Sequence, residues 1–137
     1  MTGLVVCVAV LVAAGIFGIL HKRRDGRVRV RDKDAAQQLT AGEIGAELGE
    51  RATLLQFSTA FCAPCRATRR TLGEVAGMVD GVRHVEIDAE AHLDLVRRLG
   101  VVRTPTVLVL DARGTVVRRA SGAPRKADVI AALGAAV

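Results

Sequence analysis

Thr53-Leu54-Leu55-Gln56-Phe57-Ser58-Thr59-Ala60-Phe61-Cys62-Ala63-Pro64-Cys65 carries a short apolar run straight into a pair of thiols. Residues 53–58 have the length and composition of a buried parallel strand. From Cys62 to about Met78, Leu72, Val75, Ala76 and Val79 recur at helical spacing, so the cysteines stand at the mouth of a helix. The free N–H groups and macrodipole of a helix N-terminus stabilise an anion there, which favours the thiolate of the leading cysteine. Pro64 fits a first turn, where no intrahelical donor is needed. A pair so placed closes into a disulfide and reopens, so the reading is thiol–disulfide chemistry. Two plainer readings compete. A zinc site would need two more ligands at knuckle spacing, and the remaining cysteine, Cys7, lies in an apolar run, so no metal is expected. The other is a chance CxxC in a structural helix.

Outward from this stretch, the 137 residues have room for one compact domain and an appendage. The appendage is residues 1–20. Residues 2–20 hold no charge, and Leu4 to Ala14 is aliphatic apart from Cys7. Nineteen residues at about 1.5 Å each give about 28 Å, enough to cross a hydrocarbon core of about 30 Å. A cleaved signal peptide is the rival, but it wants a basic segment before the run and a small-residue cleavage site after it. Here His21-Lys22-Arg23-Arg24 follows, so an uncleaved anchor is expected. Seven Lys/Arg lie between His21 and Asp34 and none before the span, which places the C-terminal domain on the cytoplasmic side of a cell membrane.

The net charge of +6 is concentrated in the same place. Residues 21–34 hold seven basic and three acidic side chains, whereas 35–137 hold thirteen and eleven. The basicity thus signals topology and anionic lipid more than nucleic acid, and the absence of Trp and Tyr argues against a nucleic-acid surface.

Residues 21–36 read as a basic juxtamembrane linker, whose Arg27-Val28-Arg29-Val30-Arg31 alternation suits a short edge strand. The domain proper is 37–137. Thr40-Ala41-Gly42-Glu43 has capping-box form and opens a helix to about Leu48, stopped by Gly49. A strand is expected over 82–88, a helix over 89–99 with Gly100 as its cap, and a buried strand over 106–110. A turn at Asp111-Ala112-Arg113-Gly114 leads to a hairpin partner over 115–119, and a helix closes 127–137. The order implies a central mixed sheet with helices on both faces.

With these features in order, the chain over about 37–137 resembles the thioredoxin family. The resemblance rests on the strand running into Cys62-Ala63-Pro64-Cys65, the Val85-Glu86-Ile87-Asp88 strand, Leu99-Gly100-Val101-Val102-Arg103-Thr104-Pro105-Thr106, the hairpin with Gly114, and Gly122. It implies an α/β thioredoxin-like fold, here preceded by one N-terminal transmembrane helix. It also implies roles: Cys62 as attacking thiolate, Cys65 as buried resolving thiol, Pro105 in a cis peptide beside the disulfide, and Thr104 offering its backbone to an extended substrate. Phe61, Ala63, Pro64, Gly122 and Ala123 would line the substrate groove.

Two positions depart from the family. A buried aspartate commonly stands six residues before the first cysteine, where this chain has Gln56. A lysine often stands where this chain has His84. Gln56 cannot take a proton, so His84 is the candidate acceptor for the resolving thiol; a hydrogen-bonded His with no kinetic role is the alternative. Arg66, Arg69 and Arg70 read either as a field favouring the thiolate or as a solvated helix face, with the solvated face favoured for Arg69 and Arg70. The function implied is a membrane-tethered protein-disulfide oxidoreductase without cofactor, whose partners are disulfide-containing substrate proteins and an upstream thiol reductant. The alternatives are a domain facing outward, serving disulfide exchange or cytochrome maturation, and a thioredoxin-fold adaptor that binds without turnover.

Overall fold

The structure, a computed structural model, describes residues 1–24, 26–29 and 37–137. In chain order its elements are α1 (Thr2–Arg24), β1 (Val28–Arg29), α2 (Ala41–Ile44), β2 (Ala52–Ser58), α3 (Ala63–Met78), β3 (Val82–Asp88), α4 (Leu93–Leu99), β4 (Thr106–Asp111), β5 (Val116–Ser121) and α5 (Lys126–Ala136). The sheet order is β1-β5-β4-β2-β3, with β2 and β3 parallel and the other neighbours antiparallel. This is the thioredoxin-like arrangement of a mixed sheet between helices.

β2 is buried along its whole length because both of its faces are covered, which is why it reads as a nearly unbroken apolar run. Period-two alternation then divides the core. Leu55 and Phe57 pack with Val85, Ile87, Leu108 and Leu110 under α2 and α4. Leu54 faces the other way, with Leu72 and Val75 of α3, Val107 and Val109 of β4, and Val129 and Leu133 of α5. Parallel pairing of β2 with β3 sets Leu54 opposite His84 and Gln56 opposite Glu86, so these polar residues fall on the α3 side of the sheet.

The structure changes several boundaries. α2 has its capping box, with Glu43 N–H donating to Thr40 Oγ1 at 3.3 Å and Thr40 N–H donating to the Glu43 carboxylate at 2.8 Å. It stops at Gly45 rather than Gly49, because Gly45 takes the left-handed conformation (φ 70°) and closes the helix through its N–H to the Ala41 carbonyl. α4 starts at Leu93 rather than Ala89: the Asp88 carboxylate accepts the Glu90 N–H at 2.9 Å and holds a turn there. β5 runs on to Ser121, two residues past the expected end, with a register shift opposite Val109/Leu110.

α1 extends four residues past the expected anchor end at Leu20. It is apolar on every side up to His21, its most apolar 18-residue window has mean hydropathy 2.8, and it is long enough to cross a membrane. The expected edge strand forms at Val28 and Arg29, which pair with Ala120 and Arg119; Val30 and Arg31 lie outside the described residues.

Candidate active site

The β2–α3 junction positions the two cysteines. Cys62 is the N-cap of α3, in extended conformation (φ −129°, ψ 98°), and Pro64 sits in the first turn. The Cys62 Sγ accepts the Cys65 N–H at 3.2 Å, so one of the unpaired donors of the helix end is already aimed at this sulfur. The residues are joined as a disulfide, with Cα atoms 5.2 Å apart. Their exposure differs: Cys62 is half-buried, whereas Cys65 lies in the core at 1% exposure.

The loop before β4 completes the site. The Thr104–Pro105 peptide is cis. Thr106 Oγ1 donates to the Arg103 carbonyl at 2.6 Å, and Gly122 N–H donates to the Pro105 carbonyl at 2.7 Å, tying this loop to the end of β5. Thr59 and Thr104 hydroxyls lie 3.3 Å apart and link it to the segment ahead of Cys62. Pro64, Thr104, Pro105, Gly122 and Ala123 line one continuous groove of about 930 Å³. Phe61 and Ala63, expected in the same groove, are not among its lining; both are exposed, Phe61 completely. The groove also takes in residues that sequence reasoning missed, among them Ile19 and Arg23 of α1, Gly26, and Arg103. No local motif marks these; the nearest signal was the Arg27-Val28-Arg29 alternation, which draws the chain onto β5.

Beneath Cys65 lies a polar chain. The buried Gln56 amide donates to the Cys65 carbonyl at 2.8 Å and to Ser58 Oγ at 2.9 Å. Both amide hydrogens are thus used, and the amide oxygen accepts from His84 Nε2 at 3.0 Å. Since that oxygen only accepts, His84 carries its proton on Nε2. His84 therefore reaches Cys65 through Gln56, and its Nε2 is engaged as a donor. Ser58 Oγ donates to Glu86 at 3.1 Å, and Glu86 is gripped by Arg69, whose Nε and Nη2 lie 2.9 Å from its carboxylate. Arg69 lies on an exposed helix face, as expected, and is also paired there; this ion pair holds the Arg69 guanidinium above its usual pKa.

Burial pushes the His84 imidazole below its ordinary pKa of 6.5; the Glu86 carboxylate opposes this and the Arg69 charge adds to it. Folding therefore favours the neutral ring. The resulting stability is fully present above pH 6.5 and is lost as pH falls through the depressed folded-state value. Denaturant unfolding between pH 8 and 5 is expected to show a loss of stability on acidification that is smaller in His84→Gln. Equal losses in both chains would remove His84 as the cause.

Comparison with known proteins gives consistent matches. The sequence pattern of the thioredoxin-like domain matches residues 43–136. Among solved structures, the chain is similar to thioredoxin F from spinach chloroplast (short form), at 26% identity and TM-score 0.56 over 64% of this chain and 78% of that one. It is similar in fold to a reduced Schistosoma mansoni thioredoxin, at 18% identity and TM-score 0.56, covering 65% and 82% of the two chains. It is also similar in fold to mitochondrial thioredoxin 3 of Saccharomyces cerevisiae in its oxidised form, at 19% identity and TM-score 0.55, covering 62% and 78%. No protein of curated function matches the chain at a significant level.

Proposed function

The chain belongs to the thioredoxin-like domain family, and from that premise we propose that it is a membrane-tethered dithiol–disulfide oxidoreductase that reduces protein disulfides. The observation that carries the reading is the asymmetry of the pair: a half-buried Cys62 sulfur receiving a helix N-terminal N–H, backed by a buried Cys65.

In the proposed cycle, the Cys62 thiolate attacks one sulfur of a substrate disulfide. The substrate S–S bond breaks as the Cys62–substrate bond forms, and the departing thiolate takes up a proton. Cys65, deprotonated in turn, attacks Cys62 Sγ and expels the second substrate thiolate, which is also protonated. Two electrons have then passed to the substrate, and the chain holds the Cys62–Cys65 disulfide. Another thiol system must return two electrons and two protons. Thr104 and Pro105 would hold the substrate backbone against the sulfurs, with Pro64 and Gly122 flanking it and exposed Phe61 and Ala63 meeting its outer side. His84 is assigned a positioning role, holding Gln56 under the Cys65 carbonyl. The anchor reading rests on the length and apolarity of α1, and the cytoplasmic placement of the domain on the basic residues that follow it.

Cys65→Ser removes the resolving thiol and leaves the attacking one. Incubated reduced with a disulfide-bonded peptide, this variant is expected to stop at the mixed disulfide, one peptide per chain by mass. Absence of that adduct, with Cys62 free, would instead favour an adaptor that binds without turnover.

A further inference from the structure

One wall of the substrate groove is the end of the membrane helix itself. Ile19 and Arg23 of α1 face the same cavity as Pro64, Thr104, Pro105 and Ala123. The chain is fastened to that groove immediately after the helix. Gly26 N–H donates to the Ser121 carbonyl at 2.9 Å, and Val28 and Arg29 pair with β5. Gly26 takes φ +73°, and a Cβ there would overlap the Ala123 carbonyl, so only glycine permits this approach.

The distances are short. α1 continues four residues beyond Leu20, about 6 Å of helix. Gly26 follows two residues later, at most about 7 Å of extended chain. The groove is therefore held within about 13 Å of the hydrocarbon edge, while the headgroup layer itself is about 5–8 Å deep on each side. The surface around the disulfide has a composition that suits this depth. Beyond residue 24, the two most exposed large apolar side chains among the described residues are Phe61 at 101% and Val102 at 85%. Both lie on the loops that bracket the disulfide, and Lys22, Arg23 and Arg103 line the groove with positive charge that complements anionic headgroups.

We propose that the substrates are disulfides in juxtamembrane segments of other membrane-inserted proteins, presented within the headgroup layer, rather than disulfides of freely diffusing proteins. This rests on the tethered oxidoreductase reading above and adds where the substrate disulfide must lie. A disulfide held in the same plane gains effective concentration, whereas one held far above the plane cannot reach the groove.

The test uses the full-length chain, pre-reduced and reconstituted in vesicles containing anionic phospholipid, in single turnover. Two probes carry the same disulfide loop on a transmembrane helix. In one the loop follows the helix directly; in the other a rigid helical spacer of about 30 residues, or about 45 Å, intervenes. The near probe is expected to be reduced roughly tenfold or more faster. Inserting the same spacer between Asp25 and Gly26 of the protein is expected to reverse that preference. A small soluble disulfide, reduced at one rate by both proteins, shows that the insertion variant is folded. Equal rates on near and far probes by the unmodified chain would overturn the proposal and leave the oxidoreductase reading standing. Failure to reduce even the soluble disulfide would overturn that reading, and loss of the chain from the vesicles would overturn the anchor; either result takes this proposal with it.

Discussion

Replacing Cys62 by Ser is expected to bring disulfide reduction down to the uncatalysed background. Deleting a covalent nucleophile costs on the order of 10³–10⁶-fold, and nothing in this site offers a substitute. Cys65 lies in the core at 1% exposure and cannot meet an incoming protein disulfide. A serine hydroxyl would need a general base to attack, and the nearby imidazole is engaged with its Nε2–H on the Gln56 amide oxygen. The substitution should leave the scaffold intact, because serine is a preferred N-cap and its oxygen accepts the same helix N–H that the Cys62 sulfur accepts. The measurement is single-turnover reduction of a soluble peptide disulfide by the pre-reduced chain, with circular dichroism as the folding control. Retained activity in a folded Cys62→Ser chain would move the attacking role elsewhere.

Phe57→Ala is expected to produce the largest loss of stability, about 3–5 kcal/mol, as for other fully buried aromatic truncations. Phe57 is 0% exposed on β2, an interior strand of the sheet, and belongs to the core shared with Val85, Ile87, Leu99, Leu108 and Leu110. Strands hydrogen-bonded on both sides of β2 leave little room for collapse around the vacated volume. Domains of this size are stable by about 5–15 kcal/mol, so the variant should sit near its unfolding threshold. Urea unfolding of the two chains checks this. A loss below about 1 kcal/mol would mean that the cavity closes, contrary to the packing described. Phe57 also stands one residue from Gln56, so the variant should show whether the polar chain beneath Cys65 survives a loosened β2.

The strands and the long helix were legible because each imposes its own period on the residues. The unbroken apolar run of β2 needs no neighbour to be recognised, and neither does the helical spacing of Leu72 and Val75. Element ends were less legible. The helix expected to run to about Leu48 and stop at Gly49 ends instead at Gly45. In the fold Gly49 serves the approach to β2, its N–H donating to buried Thr53 Oγ1 at 2.8 Å. The turn at Asp88 likewise delays α4, through a side-chain-to-backbone bond that competes with helix and leaves little trace in the apolar pattern.

The candidate site divides the same way. Cys62 and Cys65 announce themselves by type and spacing, Pro105 through the family resemblance, and Gln56 and His84 stood out as departures from that family's pattern. What joins Gln56 to His84, and Gln56 to the Cys65 carbonyl, is β2–β3 register and the seating of α3, neither of which one residue period can specify.

By itself, then, the chain's order of residues determined an apolar segment able to cross a membrane, a mixed sheet between helices and a dithiol at a helix mouth, all set by local periodicity, charge and turn chemistry. Only the tertiary structure decided that Gln56 stands between His84 and Cys65, that Arg69 is held by Glu86, and that the end of α1 forms a wall of the groove beside Pro105. Each of those depends on contacts between residues far apart in sequence, and such contacts are fixed by packing and strand register rather than by any local pattern.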